Sequence, residues 1–357
     1  MTAIVGRQPT FAFKLATTWG TAETVGAGDG VLPLSDGLLA GHAIEKHHDE
    51  SLPLNFVQKT NEGIETIAGD IVKNLRYQGD ELFLALAMGD PQTKTGAGPE
   101  YTMEIYLATV LAGLFGTWVT NLTAAEVAEV PSVKINGFSL SGEMGSPLQL
   151  TLKAIGNILR RTGDTGMVNT ISDLANVTVA DAVKNNRVVM NHRTELLINA
   201  ESGAALASPT DVLGIQGFSF DFLRGMETYA QSDSVADDSV CYAEPVDNDF
   251  PKPTLSLTIP RYDAQEDFLD NLKEGDTYKA KFTFEGDLIP ATAVRYKFQM
   301  WFPRLHVMSI APAVSGPGKV PGDVTFVCEQ VESVPSGFTD DKPFSLLTVN
   351  QAAAAPF

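Results

Sequence analysis

Seven short segments of the chain alternate apolar and polar residues: Thr102–Tyr106, Val133–Leu140, Leu148–Ala154, Thr254–Ile259, Tyr278–Phe284, Val294–Phe302 and Asp323–Val331. Such alternation, bounded by Gly, Pro, Asn or Asp, sends one set of side chains into a core and the other into water, as in half-buried antiparallel strands. The expected fold is therefore all-β. Two segments depart from this habit. In Asp80–Met88, residues Leu82, Phe83 and Leu86 share one helical face, and in Ala264–Leu272 residues Phe268, Leu269 and Leu272 do the same. Each predicts a short helix of about two turns.

The two helices sit in matching surroundings. Arg76, Tyr77 and Phe83 recur as Arg261, Tyr262 and Phe268, 185 positions later. A strand pattern precedes each copy, and a strand beginning at a tyrosine follows each, Tyr101 and Tyr278. This reads as an internal duplication, to be settled before any motif search. The expected organisation is two tandem β-sandwich or barrel domains, each with one short packed α-helix. Residues 1–165 form the first and 190–335 the second, with a linker at 166–189, a short helix around Ile171–Val183, and an extension at 336–357. A length of 357 residues accommodates two such domains. The recurring Arg-Tyr pair is expected to be architectural, the guanidinium forking onto a carboxylate and the tyrosine hydroxyl staying at a wet edge. A second echo, Ile135–Leu140 against Ile215–Phe220, has an incompatible offset of 80 and reads as two strands of similar type.

Composition narrows the function. Lys and Arg number 25 against 44 Asp and Glu, a net charge of −19, which disfavours gripping nucleic-acid phosphates or anionic lipid. Cys241 and Cys328 stand far apart without a His/Cys cluster and are expected to be free thiols. The start lacks the pattern of a signal peptide. The uncharged stretch Tyr106–Ala125 is broken by threonines, Asn121 and glycines, so two short strands, Tyr106–Leu111 and Thr117–Leu122, are expected in place of a membrane span.

Catalytic patterns are weak. His42, His47, His48, Asp49 and Glu50 read as a solvated loop, with no second ligand cluster. Gly137–Ser141 misses the nucleophile elbow, because its last position is Ser141 and it lies in an alternating strand. Gly26–Gly30 lacks dinucleotide spacing, and Gly316–Lys319 lacks that of a phosphate loop. No catalytic, cofactor or metal residue is assigned, and a non-enzymatic role is expected. Two long segments, Ala40–Ala68 and Gly225–Pro253, stand at the 185 offset, are rich in acids, and carry the apolar residues Leu52, Leu54, Phe56, Val240, Tyr242 and Phe250. They read as functional loops bearing anchors for another molecule.

The order strand, Arg-Tyr, Phe-Leu helix, Gly-Asp, strands, then VPSVKINGFSLSGEMGSPLQLTLKAIG at 130–156 resembles tail tube proteins of bacteriophages with long, non-contractile tails. Residues 14–38, 255–276 and 316–330 are similar to other segments of that family. The resemblance implies helix-packed β-domains that assemble into rings and stack into a hollow tube, a conduit for DNA ejection into the host. It implies a virion protein made in the bacterial host cytoplasm, with itself as principal partner and the tape-measure protein and genomic DNA in the lumen. No cofactor and no membrane partner are implied. With the duplication it suggests three chains per ring and pseudo-six-fold symmetry, six chains being the alternative, the two long loops making the stacking contacts and the excess acids lining the lumen. The rival class is a β-rich binding module, an adhesin or a tail-tip component.

Overall fold

The computed structural model describes residues 10–48, 60–96, 98–184, 186–229, 243–260, 268–312 and 322–353. Its elements in chain order are β1 (Phe11–Leu15), β2 (Gly30–Val31), β3 (Ser35–Asp36), β4 (His42–His48), β5 (Thr60–Asn74), α1 (Glu81–Met88), β6 (Gly89–Pro91), β7 (Tyr101–Leu107), β8 (Gly116–Thr123), β9 (Glu126–Glu143), β10 (Gln149–Gly156) and β11 (Arg160–Arg161). There follow α2 (Ile171–Ala175), α3 (Asp181–Lys184), β12 (Glu195–Ala200), β13 (Gly217–Leu223), β14 (Met226–Glu227), β15 (Val246–Asp247), β16 (Thr254–Ile259), α4 (Phe268–Glu274), β17 (Thr277–Leu288), β18 (Arg295–Pro312), β19 (Gly322–Cys328) and β20 (Ser345–Asn350). The protein is all-β with a few short helices. None of its described helices is long and apolar enough to cross a membrane.

Alternation located the main strands. Thr254–Ile259 is β16 residue for residue, its Leu255, Leu257 and Ile259 buried. The single helix expected around Ile171–Val183 is instead two. Thr170 caps α2 through a reciprocal capping box with Asp173, and the chain bends before α3 begins.

Strand pairing follows one order twice. In the first part β8 pairs with β1 and β9, β9 with β10, β10 with β5, and β5 with β3 and β4 on its other edge. In the second part β17 pairs with β12 and β18, β18 with β19, β19 with β16, and β16 with β13 on its other edge. β9 and β18 are each 18 residues long. Each carries a bulge where it pairs with its inner neighbour, at Asn136 and at Met308. α1 packs on β9 as α4 packs on β18.

The pairing corrects two details of the sequence alignment. Tyr101 opens β7, which pairs with β6 and β20, whereas Tyr278 lies in β17, whose counterpart by partners is β8. Buried Ile71 of β5 corresponds by pairing to buried Leu257 of β16, 186 positions later, while Phe83 and Phe268 of the helices are 185 apart. A one-residue slip would turn a strand's apolar side chains to the wrong face. The difference is therefore absorbed between strand and helix.

The two parts share one core. The strands that echo each other at offset 80 prove to be partners: β13 pairs antiparallel with β9, Phe220 opposite Leu140 and Phe222 opposite Phe138. Phe138 lies 5.8 Å from Phe220 and 5.5 Å from Phe222, ring centre to ring centre. Phe344, from beyond the second part, contacts Phe220 and Phe222 at 4.9 and 5.0 Å. β20 then pairs with β7 on one side and β18 on the other, lacing the two parts together.

A polar clamp adds to this join. The Lys134 ammonium is fully buried and donates to the Leu111 carbonyl at 2.9 Å, the Pro245 carbonyl at 2.8 Å and the Glu244 carboxylate at 2.6 Å. Arg224 donates to the Met88 and Ala108 carbonyls and forks onto Asp247. Residues 108–113 of the first part are held by charged groups of the second, Arg224 donating to the Ala108 carbonyl, Asp247 accepting from the Leu111 N–H and Glu244 from the Gly113 N–H.

A core continuous across both parts predicts one cooperative unfolding transition, with equal calorimetric and van 't Hoff enthalpies. Phe220→Ala, which empties the centre of the join, is expected to cost about 3–5 kcal/mol by denaturant titration. Two separate transitions, or a loss below about 1 kcal/mol, would contradict this description of the core.

Candidate functional surface

Alternation that buries one face of the joined sheet leaves the other to solvent, and the residues on that second face are unusual. Reading across the strands in register, Asn74 of β5 stands opposite Gln149 of β10, and Gln149 opposite Ser141 of β9. The row continues through Ser219 of β13, Ser256 of β16, Thr325 of β19 and Ser309 of β18. It spans seven strands and both parts of the chain without a charge or a large side chain. Directly opposite residues of an antiparallel pair share a face, so this is one continuous polar belt. The Ser256 and Thr325 hydroxyls are 3.1 Å apart.

The flanking rows carry charge, mostly negative. Asp70, Glu143, Asp221 and Asp323 are exposed on this face. The cation among them, Lys153, is 2.7 Å from Asp221 in an ion pair across β9. Among the described residues such a face offers neutral hydroxyls and fixed negative charge, with no arginine fork for a phosphate.

The singled-out residues fall in several places. Phe83 and Phe268 are buried and anchor their helices, Phe83 against Phe13 at 5.1 Å and Phe268 against Tyr278 at 5.3 Å. Arg76 is corrected in detail: its backbone N–H donates to Asp80 at 2.7 Å, while its guanidinium donates to the Asn74 carbonyl. The Asp80 carboxylate is captured by the Arg76 main chain ahead of α1 and by Lys73, which leaves the guanidinium a carbonyl. Tyr77 is also corrected, being 2% exposed and not at a wet edge. Its ring packs against Tyr296 and over Gly286 of the second part, where a Cβ would come within 2.7 Å of it. Burial and the nearby Glu285 and Asp287 carboxylates push its phenol well above the ordinary range. Arg261 and Tyr262 lie outside the described residues.

The two long loops are corrected as well. Residues 42–48 and 60–67 are paired strands of an arm made by β4 and β5, and residues 226–227 pair with 246–247. β4 was missed because its sequence, HAIEKHH, presents no apolar alternation and six of its seven residues are exposed. The histidines expected in a loop therefore stand on a strand, His42 2.9 Å from Glu65 and His48 3.2 Å from the Thr60 hydroxyl. Leu52, Leu54, Phe56, Val240 and Tyr242 lie outside the described residues, as do Asp49 and Glu50. Phe250 is 85% exposed beside a cleft of about 850 Å³ that Val110, Arg224 and Pro343 also line.

The polar row itself went unread in the sequence. Its signal was present in the polar positions of the alternating segments, which are Ser or Thr in FSLS, FSF, LSLT and VTF. Attention to the apolar half of each pattern hid the uniformity of the other half.

A family model described as phage tail tube protein matches residues 6–328. β20 lies beyond that match. Among curated proteins none matches the chain.

The assignment of faces is checked on the folded chain with Cys241 replaced by serine. Ser219→Cys is expected to react rapidly with a maleimide, and Phe220→Cys to react only on unfolding. Native Cys328 should stay silent too, since complete burial pushes its thiol well above the ordinary range and removes the thiolate. Protection of the residue-219 thiol would contradict an open polar face.

Proposed function

The chain belongs to the phage tail tube protein family, and from that premise we propose that it closes into rings of three chains that stack into a DNA conduit, with the seven-strand polar row on the inner wall. The coarser role is that of a structural protein of the virion tail. The observation that carries the finer reading is the polar row, because a wall past which a polyanion must travel should lack Lys and Arg contacts that would trap it. Its neutral hydroxyls and flanking acids meet that need. The lumen then receives genomic DNA and, by family resemblance, the tape-measure protein.

The repeated order of strand partners supports two tandem tube-type domains, 1–165 and 190–335, bridged by 166–189 and followed by the extension 336–357. Two domains per chain make three chains equivalent to six ring positions. A ring of six chains is the alternative, and the mass of isolated rings separates them: three copies are expected, and six would overturn the trimer. Stacking is assigned to the β4–β5 arm and to the 225–253 segment, whose exposed Phe250 lies beside the cleft. Replacing 45–58 by a Gly-Ser turn should leave a folded chain that no longer forms tubes, whereas normal tubes would place stacking elsewhere.

The inner wall is tested in the assembled state. Tubes carrying Ser141→Arg, Ser219→Arg and Ser256→Arg are expected to retain double-stranded DNA fragments, with retention falling steeply as salt rises. Wild-type tubes should retain none. Strong retention by wild-type tubes would contradict the proposed wall.

A further inference from the structure

Three polar residues that play no part in the polar row meet in the interior. Glu81 is the first residue of α1, and its side chain, 8% exposed, turns into the core. Lys94 lies in the connection from β6 to β7, and β7 pairs with β20, whose last residue, Asn350, stands opposite Tyr101. This pairing brings Lys94 and Asn350 to the start of α1. The Lys94 ammonium, on a side chain 4% exposed, lies 3.2 and 3.4 Å from the two Glu81 oxygens. The amide nitrogen of the buried Asn350 donates to Glu81 Oε1, which Lys94 also reaches, and to the Tyr77 carbonyl at 2.9 Å.

A second bridge holds the amine beside the amide. Lys94 donates to the Ala352 carbonyl at 2.8 Å, while the Ala352 N–H donates to Asn350 Oδ1 at 2.9 Å. Lys94 also differs from other buried lysines. The Lys279 ammonium lies on three carbonyls, and that of Lys134 on two carbonyls and the partly exposed Glu244. Among the described residues Lys94 has one carbonyl, and its other contacts are to a carboxylate that is itself buried and already holds an amide. An ion pair shut away from water loses its solvation, and passing one proton across it removes both charges. What remains is a neutral amine, a carboxylic acid and a carboxamide gathered on one oxygen.

We propose that Lys94 and Asn350 condense into an isopeptide bond, with Glu81 carrying the proton. The Nζ lone pair attacks Asn350 Cγ, and the carbonyl electrons move onto Oδ1. The Ala352 N–H already donates to that oxygen and stabilises the charge that develops there. Glu81 gives its proton to Nδ2 and takes one from Nζ, since it contacts both nitrogens. The Cγ–Nδ2 bond then breaks, Nδ2 leaves as ammonia, and the carbonyl re-forms in a secondary amide. Nothing is oxidised or reduced, and no co-reactant is consumed. Amine and amide do not condense in water at a useful rate; fixed contact in a closed site supplies the effective concentration. The bond fastens β20, which lies past the family match and between β7 and β18, to the first part of the chain. A covalent link of this kind persists in the unfolded chain and restricts it, and it holds in place a segment near the chain end, where detachment would otherwise start. The proposal is independent of ring formation.

The experiment is the intact mass of the purified full-length chain under denaturing conditions. The wild type is expected to weigh less than its sequence by one ammonia, about 17 Da. Trypsin should then fail to cut after Lys94 and should release one branched peptide joining the Lys94 and Asn350 segments. Glu81→Gln, Lys94→Arg and Asn350→Ala are each expected at full sequence mass, and Lys94→Arg keeps the ion pair while removing the nucleophile. A purely structural cluster would lower Tm in these variants and change no mass. The wild-type measurement decides by itself, so a variant that fails to fold does not blur the result. A folded wild-type chain at full sequence mass, cut by trypsin after Lys94, would overturn the proposal. Loss of the same mass by Asn350→Ala would assign the ammonia to another residue and overturn it as well.

Discussion

The hydrogen-bonded seam between β9 and β13 is the constraint on which the rest of the molecule depends. It fixes the second part against the first by a seven-residue register, and its side chains place Phe138, Phe218, Phe220 and Phe222 in the shared core. Burying a phenylalanine contributes roughly 1.5–3 kcal/mol, so this seam is far stronger than a linker contact. It joins the two parts through one continuous core. Across the same boundary Arg224 donates to the Ala108 carbonyl, and Lys134 donates to the Pro245 carbonyl and the Glu244 carboxylate. β20 closes the opposite side.

The same strands solve two problems with their two faces. Along the seam the inward positions are Phe and Leu, and the outward ones are Ser, Gly and acids with the exposed Leu223 at one end. Charge is buried as well. Lys73, Lys134, Arg160, Arg224 and Lys279 are all buried, and Lys279 spends its ammonium on the Glu201, Gly203 and Ser336 carbonyls. Asp80, Glu81, Glu129 and Asp340 are buried too, so the buried charges nearly cancel and the surface keeps close to the whole net charge of −19.

Much of this was legible in the sequence because a half-buried strand writes its burial as alternation. β10, β16 and β17 were visible for that reason, as were α1 and α4 from the spacing of Phe83 with Leu86 and of Phe268 with Leu272. What stayed hidden was of three kinds. β4 carries no apolar face, being exposed along its length, and so left no periodic trace. Tyr77 looked like a wet-edge tyrosine because its burial partners, Gly286 and Tyr296, lie over 200 residues away and belong to the other part. The polar row exists only after six registers align, and no single segment contains more than two of its residues. The echo at offset 80 was visible but its meaning was not, since resemblance between two strands does not reveal that they pair.

A cryo-electron microscopy reconstruction of the assembled tube tests the central claim most directly. The account predicts three chains per ring, with Ser141, Ser219 and Ser256 of each facing the lumen. A ring of six chains, or a wall that turns those serines to the outside, would contradict it.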